Sequence, residues 1–208
     1  MAYVLALLAS ARKHGFTAGL LAEAVAGAAA VAGVEVETVY LARYRFAPCA
    51  SCFHCIRGEA HMWISFSPDL KHWGDHRPLI MIRGAYWDCH RVGLACQPIE
   101  TPQGWLIFYH GVRNTTAGAI YRVGMAMLDL DSPWKVLRRS EEWVLGPSAA
   151  YERIGDVSDV VFPTGATVDK ESDQLNLYYG AADSTVAVAT ASLSACIDYV
   201  MSCPEVDS

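Results

Sequence analysis

The sequence predicts a mainly β chain led by a short βαβ fragment, and three observations carry that expectation. Residues 1–58 hold five basic and three acidic side chains around an Ala-rich tract, whereas residues 59–208 hold eleven basic and nineteen acidic ones. All six tryptophans and every aspartate fall in the later stretch. The hydrophobic pattern changes at the same place, from a continuous apolar run and helical spacing to short apolar runs punctuated by Gly, Pro, Asn and Asp. The chain therefore divides into residues 1–58 and residues 59–208.

In the first part, Tyr3 to Ala9 is uninterrupted apolar sequence ending at Ser10, the signature of a strand buried on both faces. Leu20, Leu21, Ala24, Val25, Ala28 and Val31 recur at helical spacing, with Gly33 as a C-terminal stop. Val34, Val36, Thr38 and Tyr40 alternate with Glu35, Glu37 and Val39, which reads as a second strand. Strand, helix, strand is a βαβ unit. In the second part, strands are expected over Trp105 to His110, Tyr121 to Leu130, Val157 to Pro163, Leu175 to Gly180 and Val186 to Thr190, the grammar of a β-sandwich or propeller. A terminal helix is expected over Ser192 to Met201, with Ser192 as its N-cap.

Composition excludes several classes of function. With 208 residues, 53% of them apolar and 18% charged, the chain can bury a core. A net charge of −6 argues against a nucleic-acid surface or a polybasic membrane patch. No apolar run approaches the ~20 residues that span a bilayer. The apolar start lacks the basic flank of a secretory signal. Seven cysteines, three of them at C-x-x-C-x-x-C spacing (Cys49, Cys52, Cys55), suit a reducing cytoplasm better than a disulfide framework. A soluble, cytoplasmic protein with small neutral or anionic ligands is the expectation.

Ser10-Ala11-Arg12-Lys13-His14-Gly15-Phe16-Thr17 lies between the first strand and the helix, where hydroxyls, backbone N–H groups and the helix dipole favour a phosphate. This stretch, with Pro48 to Cys55, resembles the flavodoxin-like NAD(P)H-dependent FMN reductases and their iron–sulfur flavoprotein relatives over about residues 3 to 58. The resemblance implies FMN as cofactor, with Ser10, Arg12 and Thr17 on its phosphate. Without a ligand, the same residues read as a Ser/Thr-capped helix start. The fourth thiolate of a cubane cluster is missing, because Ile56, Arg57, Gly58, Glu59 and Ala60 follow Cys55 and the next cysteine is Cys89. No metal is expected. A doubly wound flavin site also needs about five strands, and only two are counted, so productive flavin reduction is not expected.

Ile64 to His76 and Trp105 to Val112 resemble glycoside hydrolase family 130, the β-mannoside phosphorylases and mannosidases. Tyr121-Arg122-Val123-Gly124, Leu128 to Pro133, Tyr151 to Val157, Val160 to Pro163 and Tyr178 to Asp183 continue the resemblance in family order, from about residue 61 to 201. It implies a partial five-bladed β-propeller with about half its blades. By that resemblance Arg91, His110 and Tyr121 belong to an inorganic-phosphate subsite and Asp183 to the mannosyl subsite. A guanidinium, an imidazole and a phenol together suit phosphate. Each residue alone reads equally as a hydrogen-bonded residue at a strand end, and the joint order is what favours a ligand site. Trp63, Trp73, Trp87 and Trp105 offer apolar faces to sugar rings or pack between blades. Two stretches depart from the family pattern: Val92 to Gln97 replaces a turn richer in Gly and Pro, and Asp159 stands where Asn is usual.

The expected function is binding of, or action on, β-mannosides or mannose with inorganic phosphate. Inverting glycosyl chemistry needs a general acid opposite the attacking group. The family's acid lies in the propeller half with no counterpart here, so weak or no catalysis is expected. Two alternatives stand beside this reading: an FMN-binding oxidoreductase-like module, and a non-catalytic carbohydrate-binding or assembly module. An open half-ring exposes strand edges, so a homo-oligomer is expected.

Overall fold

The computed structural model describes residues 2–8, 16–40 and 61–206. The chain divides into two compact units, Met1–Ala50 with Phe66–Gly74 and Ser51–Ser65 with Asp75–Ser208. In the first, strand β1 (Ala2–Leu8), helix α1 (Phe16–Ala29) and strand β2 (Val34–Tyr40) follow in order. β1 and β2 pair in parallel from Ala2↔Val34 to Leu8↔Tyr40, as the apolar pattern of both segments predicts. Gly33, at φ +80, makes the turn into β2, a conformation that glycine adopts without a Cβ penalty.

The second unit is built on antiparallel pairs. Strands β3 (Met62–Phe66) and β4 (Gly74–Ile80) form one two-stranded sheet. A five-stranded sheet follows, in the order β5 (Arg91–Leu94), β7 (Gly104–Thr115), β8 (Gly118–Leu128), β9 (Val136–Arg139), with β6 (Ile99–Thr101) also on β7. After helix α2 (Ala150–Arg153), strands β10 (Val161–Asp169), β11 (Gln174–Ala181) and β12 (Thr185–Ser192) make a third sheet, and helix α3 (Leu193–Ser202) ends the fold. The described residues thus form open sheets in succession, with no closed barrel among them.

The β7–β8 hairpin organises this unit. Its register runs from Trp105↔Leu128 to Thr115↔Gly118, and alternate side chains point to opposite faces. On one face Leu106, Phe108, Val123, Met125 and Met127 pack with Val161, Leu175, Leu177 and Val200 of the third sheet and α3. On the other, Ile107, Tyr109, Ala126 and Leu128 pack with Met62, Ile80, Trp87 and Val92. Both faces are buried, which is why these strands read as dense apolar runs.

The strand expected from Val157 begins instead at Val161. Asp159 adopts φ +60, a left-handed conformation that interrupts an extended chain, and Val160 makes only an isolated bridge to Tyr121. Sequence patterning does not foresee β3, β4, β5, β6 and β9. The terminal helix is present with its cap: Ser192 Oγ accepts from the Ala195 N–H and donates to Asp173, whose carboxylate also takes the Ser194 N–H at 3.0 Å. Leu175 is buried in the first core. Truncating it to alanine is expected to cost about 2–5 kcal/mol, read as a shift of the urea-unfolding midpoint with unchanged slope.

Candidate functional site

Arg91, Val112 and Tyr121 lie in one cross-strand row, and Gly93, His110 and Val123 in the next. Residues two apart on a strand share a face, so Arg91, His110 and Tyr121 all sit on one face of the five-stranded sheet. This is the face whose apolar row Leu106–Phe108 continues into His110. The structure therefore brings together the three residues the sequence assigned to phosphate. Gly93 makes room for the imidazole, since a Cβ there would lie 2.6 Å from His110 Cε1. Phe162 flanks it, with ring centroids 4.7 Å from His110 and 6.1 Å from Tyr121.

His110 Nδ1 is buried and has no hydrogen-bond partner among the described residues. Burial, aided by the Arg91 charge, pushes the imidazole pKa down to about 4. The ring is therefore neutral near pH 7, beside a fixed cation.

Backbone bonds draw the ends of two sheets to this face. The Tyr121 N–H donates to Asp159 O at 3.1 Å, Ala182 N–H to Val160 O at 3.0 Å and Val157 N–H to Ala182 O at 3.2 Å. Asp183 follows Ala182 in the exposed β11–β12 turn at φ +53. Two backbone hydrogen bonds link this turn to Tyr121, and Asp183 is exposed there, outside the two cross-strand rows of the other three. A cleft of about 480 Å³ opens beside the Asp159 turn, lined by Ser148, Ala150, Arg153, Ile154 and Asp159. Arg153 Nε is 3.6 Å from Asp159 Oδ1 in an exposed pair.

Two buried carboxylates went unread in the sequence. Asp88 is fully buried and receives Arg83 Nη2 at 2.7 Å, Arg139 Nη2 at 2.7 Å and the Tyr109 hydroxyl at 3.1 Å. Glu152 in α2 receives the Ser148 N–H at 2.7 Å, the Ala149 N–H at 2.8 Å and the Tyr179 hydroxyl at 2.7 Å. Burial pushes the Glu152 carboxyl up, but these donors outweigh it and hold the group below its usual range. Burial, with Tyr151 and Glu152 nearby, raises the Tyr179 phenol. The sequence signal for both carboxylates is an acidic residue following an aromatic one, Trp87-Asp88 and Tyr151-Glu152, which is too common to single out alone.

The tryptophans serve differently from one another. Trp87 is buried, with a ring so close to the hairpin that a Cβ on Gly111 or Gly124 would lie 2.3 or 2.8 Å from it. It is a packing residue and offers no sugar platform. Trp63 and Trp105 line an apolar cavity of about 330 Å³ with Met62, Ile64, Leu79 and Ile107. This cavity touches the sheet's second core and carries no charged lining residue, so it does not suit an anion. Trp73 is half-exposed, its indole N–H on Leu70 O at 3.3 Å. Ser10, Arg12, Cys49, Cys52 and Cys55 lie outside the described residues; Thr17 is in α1, and its side chain is outside them too.

The sequence matches the glycoside hydrolase family 130 profile, described as β-1,4-mannooligosaccharide phosphorylase, over residues 27–202. The chain belongs to glycoside hydrolase family 130. Family 130 sequence thus reaches back past residue 61, into α1 and β2. The chain is 43% identical over 141 residues to a β-1,4-mannooligosaccharide phosphorylase of Ruminococcus albus, covering 68% of this chain and 42% of that protein. It is 46% identical over 130 residues to a β-1,2-mannobiose phosphorylase of Listeria innocua, covering 62% of this chain and 35% of that one. The solved Listeria innocua β-1,2-mannobiose phosphorylase, in complex with β-1,2-mannobiose, superposes with a TM-score of 0.62 at 43% identity, over 67% of this chain and 38% of its own. The chain spans less than half the length of these family 130 relatives.

The imidazole gives a pH signature with a definite sign. The His110 pKa is lowered from 6.5 to about 4 in the folded state, so between these values the unfolded chain binds more protons. Its stabilising contribution is full above about pH 6.5 and is lost as pH falls toward 4. Comparison of urea unfolding at pH 7 and pH 4.5 should show a steeper loss for the wild type than for His110→Phe. Equal slopes would place the imidazole in solvent.

Proposed function

We propose that this family 130 chain binds inorganic phosphate on Arg91, His110 and Tyr121, and a β-mannoside beside them toward Asp183. The observation that supports this most directly is the placement of a guanidinium, a phenol and a partnerless buried imidazole nitrogen on one sheet face. Such a nitrogen is costly to bury unless something bonds to it. An anion offers the missing partner and offsets the Arg91 charge, which adds to burial in keeping the ring neutral. The names of the relatives, phosphorylases of β-1,4- and β-1,2-mannosides, agree with that pair of ligands.

In this reading the segment supplies the attacking side of an inverting phosphorolysis. Phosphate held by Arg91 and His110 attacks the anomeric carbon while a general acid protonates the departing oxygen. None of the three phosphate residues is available as that acid, because all contact the attacking anion. The described segment is therefore proposed to bind both ligands, with the acid supplied from outside these three residues.

Calorimetry with inorganic phosphate and with β-1,4- and β-1,2-mannobiose tests this, alongside an assay for mannose 1-phosphate. Arg91→Ala is expected to weaken phosphate binding at least tenfold, about 1.4 kcal/mol, in keeping with the loss of a charged hydrogen bond. His110→Ala should do the same, and phosphate should raise the His110 titration midpoint above about 4. Phosphate affinity unchanged in both variants would remove the assignment. Mannobiose binding without phosphate binding would favour a carbohydrate-binding module.

A second reading rests on the parallel β1–α1–β2 unit, the topology of a flavodoxin-like nucleotide fold, with Ser10, Arg12 and Thr17 as the phosphate contacts of FMN. The family 130 match, which takes in the end of α1 and all of β2, weighs against it. Titration of the protein with FMN, followed by flavin fluorescence, decides it.

A further inference from the structure

The sheet face opposite the anion site carries a buried ionic hub that the proposed function does not use. Asp88 is the only carboxylate in it, and two guanidiniums converge there. Arg83 spans outward to Ser140 O at 3.0 Å and Glu141 O at 3.4 Å, and Arg139 to Met81 O at 2.8 Å and to the Tyr109 hydroxyl oxygen at 3.1 Å. Trp87, next to Asp88, donates its indole N–H to Glu141 O at 2.8 Å. Residues 81 to 88 are thereby fastened to β7 and to the end of β9.

The chain then passes directly into the site. His90 N–H donates to Val112 O at 3.0 Å, and Asn114 N–H donates to His90 Nδ1 at 3.3 Å. Arg91 is the first residue of the four-residue strand β5. A strand this short has little register of its own, so the position of its first residue depends on what holds the segment before it. The Trp87 ring also bears on the reverse of the hairpin at Gly111 and Gly124. Gly111 immediately follows His110, and Gly124 lies three residues beyond Tyr121. A side chain at either glycine would push the ring off.

We propose that Asp88, with Arg83, Arg139 and Trp87, forms a positioning element that sets Arg91 and the His110–Tyr121 stretch of the hairpin in one anion-binding geometry. The inference rests on the phosphate reading above. An ion cluster around a fully buried carboxylate adds little net stability compared with well-packed apolar residues, whereas removing one partner leaves an uncompensated charge. Its contribution is therefore to fix one arrangement of the segment that leads into Arg91, and Asp88 itself touches no ligand.

The test compares Asp88→Asn and Arg139→Lys with Leu175→Ala, a core variant away from the site. Two measurements are made at a temperature where each protein is folded: phosphate affinity by calorimetry, and the Arg91 Nε–H and His110 ring resonances without ligand. Asp88→Asn is expected to weaken phosphate at least tenfold and to move both sets of resonances. Arg139→Lys, which keeps the charge and loses the fork, should give an intermediate effect and decides the matter if Asp88→Asn does not fold. Leu175→Ala, at a comparable loss of melting temperature, should leave affinity and resonances unchanged. Unaltered affinity and resonances in the hub variants, or equal changes in Leu175→Ala, would overturn the proposal. If the wild type takes up no phosphate, the anion reading falls and the resonances alone decide positioning.

Discussion

The pairing of β7 with β8 is the constraint on which the second unit depends. Its long unbroken register fixes which side chains face which core, because a slip of one residue would turn every side chain to the other face. In the observed register Leu106, Phe108, Val123, Met125 and Met127 meet the third sheet and α3. Ile107, Tyr109, Ala126 and Leu128 meet the segment that carries Trp87 and Ile80. His110 and Tyr121 then fall on the first face by the same alternation, and Gly111 and Gly124 on the second. The site and its support are two sides of one hairpin.

A polar group at the end of an apolar row is tolerated only under particular conditions. His110 continues the Leu106–Phe108 row, and Phe162 and Gly93 shape the space around its ring. Burial removes the proton rather than the residue, since a neutral imidazole is far cheaper to desolvate than a charged one. Arg91 adds to the same effect. The result is a cation and a neutral imidazole side by side, an arrangement whose electrostatics change sign of preference when an anion enters. Family 130 membership gives that arrangement its chemical context, while the geometry stands on the residues themselves.

Much of this was legible in the sequence where the physical signal was local. Dense apolar runs marked β7, β8 and β11, alternating residues marked β2, and Ser192 announced the cap of α3. The joint assignment of Arg91, His110 and Tyr121 needed the family pattern, because they come from three different strands and nothing local joins them. Strand β4, with Arg77 and Pro78 inside it, and three-residue β6 have weak strand patterns, since pairing partners rather than propensity make them strands. The role of Trp87 was hidden for a related reason. Its aromatic face is plain in the sequence, but the glycines that receive it, Gly111 and Gly124, are distant along the chain and look like ordinary turn or strand-breaking residues. Asp159 ended the preceding strand expectation through a left-handed backbone that no hydrophobic pattern encodes.

The two buried carboxylates show how one chain uses the same kind of group in different ways. Glu152 is satisfied by two backbone N–H groups just before α2 and by the Tyr179 hydroxyl of β11, so it closes a local turn and ties it to β11. Asp88 is met by side chains from β7 and β9, Tyr109 and Arg139, and Arg139 reaches on to Met81. A carboxylate held mainly by the backbone beside it joins one turn to one strand. One that joins three chain segments holds them in a single relative placement, and with Arg91 only three residues further along, any relaxation there is transmitted to the site before solvent or flexible chain can absorb it. The close approach of Trp87 to two side-chain-free strand positions makes the same point in packing terms. The contact admits no added methyl without displacement, so support and site can shift only together.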